Sequence, residues 1–263
     1  MIVNLHLAAL ALYTVSAVLA LVPFAGAGPI ARGWTVGTAS VGAVLHGAGL
    51  AQLSFVGVAP ALSMLALCLA LLQIGSELLL RASTVGLFTA PLAGGFVGLA
   101  LLLGLTPGVE ASAGRGVWFI LHVSLSVLGL ALLALAFIAA ALYLVQFREL
   151  KAKRFGQVFQ LFPPLERIDR LNHVALVAGF PALTVGVLIA IGYAVRYAGQ
   201  MPDAAQLVWG SFTWVVLGWT VWVRVARHWA GRRAAFASIA GFGAVVLVYA
   251  ALKLAQPGVQ RFL

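Results

Sequence analysis

Eight long apolar runs constrain this chain more than any other feature. They cover about Ile2 to Phe24, Val36 to Leu53, Val58 to Leu80 and Val85 to Leu105 in the first half. The second half holds Gly116 to Phe147, Leu171 to Arg196, Leu207 to Val225 and Ala234 to Leu254. An α-helix needs roughly 20 predominantly apolar residues to cross a hydrocarbon core, and these runs approach or exceed that length. Composition agrees, since 63% of the 263 residues are hydrophobic and only 8% are charged. An ordinary soluble domain carries about 25% charged residues. A chain this apolar cannot cover itself with polar surface in water, whereas lipid removes that need. The expected fold is all-α, a polytopic integral membrane helix bundle of about eight transmembrane helices. One membrane domain is expected over residues 1–263. A β-barrel would alternate polar and apolar residues, and these runs do not. The weakest division is Ser54 to Gly57, between the second and third runs.

The net charge of +10 would suggest nucleic acid in a soluble protein. Here most basic residues stand between apolar runs and offer no extended basic surface. Nucleic acid is therefore not an expected partner; the bilayer is. The first Arg or Lys is Arg32, so the N-terminal run lacks the basic flank of a secretory leader and reads as the first membrane helix. Twelve Lys and Arg residues fall on the side reached after odd-numbered helices, against four on the other. The positive-inside bias then places the odd loops in the cytoplasm and both termini outside, in the bacterial cytoplasmic (inner) membrane. The sizeable loop from Arg148 to Arg170 carries Phe155, Val158, Phe159, Leu161 and Phe162 between basic flanks. It reads either as an amphipathic piece on the cytoplasmic lipid face or as a plain tether. Pro91 and Pro181 are expected to kink the fourth and sixth helices.

An ionisable group inside a membrane span is costly, which makes it a functional candidate. Three of the five histidines lie inside predicted spans: His6, His46 and His122. His46 lies roughly 15 Å above the inner end of its helix and His122 roughly 9 Å below the outer end of its own. Two imidazoles at similar depth on different helices are candidate ligands of one metal centre, and a haem iron takes axial imidazoles. The plainer alternative for each is a hydrogen bond to a neighbouring helix. His6 sits near the outer interface, where water is expected to satisfy it. His173 reads as a helix-start capping or packing residue, and His228 as part of a lipid-facing basic run.

Other chemistry is sparse. Cys68 is the one cysteine, so neither a disulfide framework nor a cysteine-based metal site is available within one chain. Glu77 is expected to pair with Arg81 one turn later. No pair of intramembrane acids marks an ion path. Trp214, Trp219 and Trp222 either pack or line a flat hydrophobic ligand. No nucleophile and base stand in a recognisable pattern, so an enzyme is not expected.

The second half carries a longer pattern. It begins at His122-Val123-Ser124 and continues with Ile168-Asp169-Arg170-Leu171 and Gly179-Phe180-Pro181-Ala182-Leu183-Thr184-Val185-Gly186. Trp209-Gly210-Ser211, Trp229-Ala230-Gly231-Arg232-Arg233-Ala234-Ala235 and Gly241-Phe242 follow. Over roughly residues 116–254 this resembles the cytochrome c assembly family, the haem-handling membrane proteins related to CcsA. The Tyr13, Ser16 and His46 segment and the total length are similar to the YpjD/HemX-type branch. In the CcsA type a tryptophan-rich WxWD core follows the sixth helix; here Trp209-Gly210-Ser211 runs directly into Phe212-Thr213-Trp214. Trp222 and the neighbourhood of Gln260 stand where that type has further histidines, and His122 matches a family haem histidine.

The resemblance implies haem binding or handling linked to cytochrome c-type biogenesis, with His122 and His46 as candidate haem-iron ligands. It implies partners among cytochrome c assembly or tetrapyrrole-pathway proteins. The alternative it leaves is a HemX-like, non-catalytic accessory or regulator that acts on a partner without its own haem site.

Overall fold

The computed structural model describes residues 1–25, 32–53, 58–79, 85–106, 116–153, 163–196 and 204–255. Among them are eight α-helices and no β-strand. In chain order these are α1 (Ile2–Leu21), α2 (Arg32–Leu50), α3 (Val58–Leu79), α4 (Gly86–Leu103), α5 (Gly116–Lys151), α6 (Leu165–Arg196), α7 (Ala204–Val225) and α8 (Gly231–Ala255). A short 3-10 turn, Val22–Ala25, extends α1. Six helices are long and apolar enough to cross a membrane: α1, α3, α4, α5, α6 and α8. In α2, glycine, threonine and His46 dilute the apolar run, and in α7 tryptophans do. The protein is a multi-pass, all-helical membrane protein, as the apolar runs require.

The helix boundaries depart from the apolar runs where polar residues have structural work. The sixth helix starts at Leu165, six residues before its apolar run. Arg167 N–H reaches the Pro164 carbonyl at 2.9 Å and opens the first turn, where a preceding proline is well tolerated. Helix α5 runs on to Lys151, with Arg148 and Lys151 in the last turn beside the negative end of the helix dipole. Helices α4 and α6 continue through Pro91 and Pro181. Helix α2 ends at Leu50 and α3 starts at Val58, on either side of Ser54 to Gly57, which lie outside the described residues. Phe155, Val158, Phe159, Leu161 and Phe162 of the predicted amphipathic piece also lie outside them.

The helices group into two compact units. The first is Met1–Ser112 with Gln146–Arg167, and the second is Ala113–Val145 with Ile168–Leu263. In the first unit α1 to α4 pack around Ala9, Tyr13, Ala43, Ala66, Leu69, Ala70, Ala93 and Val97. Small residues dominate because lipid offers no hydrophobic drive between helices; close backbone approach and van der Waals contact hold them instead. The second unit uses the same device between α5 and α6. A Cβ added at Gly129 would stand 2.7 Å from the Leu183 backbone nitrogen. One at Gly179 would stand 2.9 Å from the Leu132 Cβ, and one at Gly186 would stand 2.5 Å from Ser126 Oγ.

Candidate functional site

His122 lies on α5 of the second unit, and the close approach of α6 places the Gly186 carbonyl against it. Its Nδ1 donates to that carbonyl at 2.7 Å, and Ser126 Oγ stands 3.5 Å from the same nitrogen. A carbonyl only accepts, so Nδ1 carries a proton, and the tautomer this bond selects has its lone pair on Nε2. Among the described residues no hydrogen-bond partner meets Nε2. An imidazole whose far nitrogen is tethered to a backbone oxygen is oriented as metal-ligating histidines are. The Gly179 to Gly186 segment therefore has two faces. Gly179, Leu183 and Gly186 meet α5, while Phe180 fills the space above Gly218 of α7, where a Cβ would stand 2.9 Å from its ring. Thr184 Oγ1 accepts from Trp214 Nε1 at 3.1 Å, and the Phe180 and Trp214 rings lie 5.6 Å apart.

At the other end of the unit, Asp169 of α6 and Arg224 of α7 form a two-pronged ion pair at 2.9 and 2.7 Å. The turn from α7 to α8 closes over it. Trp229 gives its carbonyl to Arg224 Nη1, and Gly231 gives its N–H to Asp169 Oδ1 at 3.0 Å. That turn puts His228 at φ 51° and Gly231 at φ 60°, a conformation that favours glycine and that histidine adopts more readily than most. Two separate parts of the sequence pattern, around Asp169 and around Gly231, thus meet at one arginine. Counting Arg224 as a cytoplasmic loop charge misses this. The signal was its place next to the last apolar turn of its helix.

The first unit holds His46, and there both ring nitrogens are engaged. Nε2 meets Ser63 Oγ at 2.8 Å and Nδ1 meets the Tyr13 hydroxyl at 3.2 Å. His6 joins the same cluster, with Nε2 at 2.9 Å from Ser63 Oγ and Nδ1 at 3.0 Å from the Ile2 carbonyl. The expectation that water satisfies His6 is corrected, because the ring is 0% exposed and Gly49 opens a slot for it. Toward the end of α3, Glu77 accepts from Thr35 Oγ1 at 2.9 Å and from Gln73 Nε2 at 3.1 Å. Its expected partner Arg81 lies outside the described residues. His46 and His122 thus belong to different units, each with its own polar surroundings.

The tryptophans divide by position. Trp214, Trp219 and Trp222 present 39%, 48% and 52% of their surface, which suits lipid or a flat apolar ligand better than a packed core. Trp209 packs on Tyr249 at 5.5 Å. His173 accepts from Arg224 Nε at 3.3 Å, and His228 is exposed in its turn.

Comparison with known proteins finds one family model, described as Cytochrome C assembly protein, that matches residues 52–260. Among similar proteins is the cytochrome c biogenesis protein CcsA of Guillardia theta, 26% identical over 161 residues, covering 55% of this chain and 54% of that protein. The CcsA of Synechococcus elongatus is 24% identical over 238 residues, covering 71% of this chain and 72% of the relative. That of Thermosynechococcus vestitus is 26% identical over 219 residues, covering 68% of each. The chain thus spans only 54% of the Guillardia protein.

Proposed function

Because the chain belongs to the cytochrome c assembly protein family, we propose that it binds or handles haem in the membrane in support of cytochrome c-type biogenesis, with His122 as the residue that meets the iron. The observation that carries this reading is the His122 to Gly186 bond, which fixes the ring and leaves Nε2 directed away from its tether. A bound haem would supply an iron that takes an imidazole nitrogen and an apolar disc that suits a helix-bundle interior. The chain's own part is to hold His122 in one tautomer, through a carbonyl that Gly186 can bring close only because it has no side chain. Trp214 is held in place by Thr184 and Phe180 and offers exposed aromatic surface in the same unit. His46 could ligate only by giving up its bond to Ser63 or to Tyr13, so the proposal rests on His122.

The finer points belong to the same proposal. The location is the bacterial cytoplasmic membrane with both termini outside, as the loop charges suggest. The partners are assembly or tetrapyrrole-pathway proteins. The role is non-enzymatic, and the branch within the family is the YpjD/HemX type.

The test is the absorption spectrum of the purified full chain after expression with haem supplied. A Soret band in the wild type that His122→Ala loses, with folding intact, supports the reading. A wild type without the band, or a His122→Ala variant with an unchanged one, ends it.

A further inference from the structure

The first unit buries a cluster that the haem reading does not use. His6 of α1, His46 of α2 and Ser63 of α3 are each 0% exposed. The two imidazoles come from different helices and aim Nε2 at one point, the Ser63 hydroxyl oxygen, from 2.9 and 2.8 Å. Their centroids are 5.0 Å apart, with ring planes at 75°. The far nitrogen of each ring is tethered to an oxygen, His6 Nδ1 to the Ile2 carbonyl and His46 Nδ1 to the Tyr13 hydroxyl. This is how imidazoles are presented to a metal ion: one nitrogen toward the centre, the other held from outside. Glycines make the room. A Cβ at Gly49 would stand 2.8 Å from His6 Nδ1, and one at Gly42 would stand 2.9 Å from the Tyr13 ring. Gly42, His46 and Gly49 are spaced four and three apart, so they share one face of α2.

We infer that His6 and His46 form a site for a single copper(I) ion, centred near the place the Ser63 hydroxyl occupies. The inference stands apart from the haem reading, because it uses neither His122 nor the second unit.

In the metal-free chain the protons are ordered. The Ile2 carbonyl fixes the His6 proton on Nδ1, so Ser63 donates to His6 Nε2 and accepts from His46 Nε2. Tyr13 then donates to His46 Nδ1. Copper(I) takes over the role of the hydroxyl. The His46 proton moves to Nδ1 and is donated to Tyr13, while Ser63 turns aside or becomes a third ligand. No proton leaves and nothing is oxidised or reduced. A metal–imidazole bond is roughly 2.0 Å, so the ion would lie between the two Nε2 atoms while the Ser63 hydroxyl draws back.

Charge and ligand number select the ion. Among the described residues no group of three or more His, Cys, Asp and Glu side chains gathers to hold a metal. The ligands here are neutral and removed from water. Desolvation grows with the square of the charge, so a divalent ion is far costlier there than a monovalent one. Zinc also prefers four protein ligands in a closed site, and this cluster offers two imidazoles and a hydroxyl. Imidazole serves copper as well as zinc, so charge and ligand number make the choice.

The test is anaerobic copper(I) loading of the purified full chain, with bicinchoninate as competing chelator, followed by desalting. About one copper per chain is expected in the wild type and in His122→Ala, with a nitrogen-and-oxygen shell in the X-ray absorption spectrum. Zinc(II) offered in the same way should not be retained. His6→Gln and His46→Gln should emerge copper-free. Tyr13→Phe removes only a tether and should weaken binding about tenfold. Ser63→Ala takes away the partner of both Nε2 atoms, so copper(I) should raise its Tm more than that of the wild type. Hydrogen bonding between helices, with no metal role, predicts no rise in either. Should a histidine variant fail to fold, the wild type and Ser63→Ala decide the question. Copper-free wild type and Ser63→Ala, a sulfur shell from Cys68, or equal retention of zinc(II) would each overturn the inference. Copper content and the Soret band are separate readouts, so either reading can fail without the other.

Discussion

Arg224 Nη2 stands 2.7 Å from Asp169 Oδ2, and that contact ties the end of α7 to the first turns of α6. The guanidinium has no idle donor. Nη1 also reaches the Trp229 carbonyl at 3.1 Å, Nη2 the Asp169 carbonyl at 3.0 Å, and Nε reaches His173 Nδ1 at 3.3 Å. With both carboxylate oxygens engaged, all five N–H groups are used. A planar fork that meets five acceptors is a task for arginine and not for lysine.

Removal of Arg224 leaves Asp169 without its cation and should cost stability. Breaking a buried pair costs about 3–5 kcal/mol, and the low end applies because the Asp169 side chain is 23% exposed. Arg224→Lys keeps the charge but not the fork, and should still lose about 1–2 kcal/mol. Thermal unfolding in detergent reads both. An Arg224→Lys variant as stable as the wild type would show that the geometry of the pair is immaterial.

Gly186→Ala should loosen α5 from α6. The new Cβ would stand 2.5 Å from Ser126 Oγ and 3.0 Å from the Ser126 backbone nitrogen. Backbone cannot step aside as a side-chain end can, so the cost should be about 1–3 kcal/mol. The His122 to Gly186 bond lengthens with it. On the haem reading, affinity should fall about tenfold while His122 itself is intact. Unchanged stability and an unchanged Soret band together would contradict this packing.

The glycines of α2 should respond by position. Gly42→Ala and Gly49→Ala push a methyl into the Tyr13 and His6 rings and should each cost about 1–3 kcal/mol. Gly47 meets only Leu67 Cδ2, at 3.9 Å, which is ordinary contact. Gly47→Ala should therefore gain helix propensity, up to about 1 kcal/mol. Three melting curves decide it, and a Gly49→Ala variant that gains as much as Gly47→Ala would refute the slot for His6.

The loop charges predict an orientation with both termini outside. A reporter enzyme active only in the cytoplasm should work when fused after Lys153 and stay silent when fused after Leu263. Activity at the C-terminal fusion would reverse either the orientation or the number of spans.

Apolar runs alone tell that the chain lives in a bilayer and that helices fill it. Hydrocarbon accepts only backbone whose polar groups are satisfied internally, so apolar runs of this length have one outcome. The sequence also marked His122, through a pattern that continues to Gly186. What it could not show is which polar side chain faces which. The Gly186 carbonyl lies 64 positions from His122, Ser63 lies 57 from His6, and Arg224 lies 55 from Asp169. Apolarity along a chain records what each residue gains by leaving water, whatever its neighbour. That is why Asp169, between Arg167 and Arg170, looks like loop until Arg224 is seen to hold it. It is also why His6 looks like an interfacial residue until Gly49 is seen to admit its ring. Helix packing decided these points, because the absence of a side chain at one glycine fixes how near a particular partner can come.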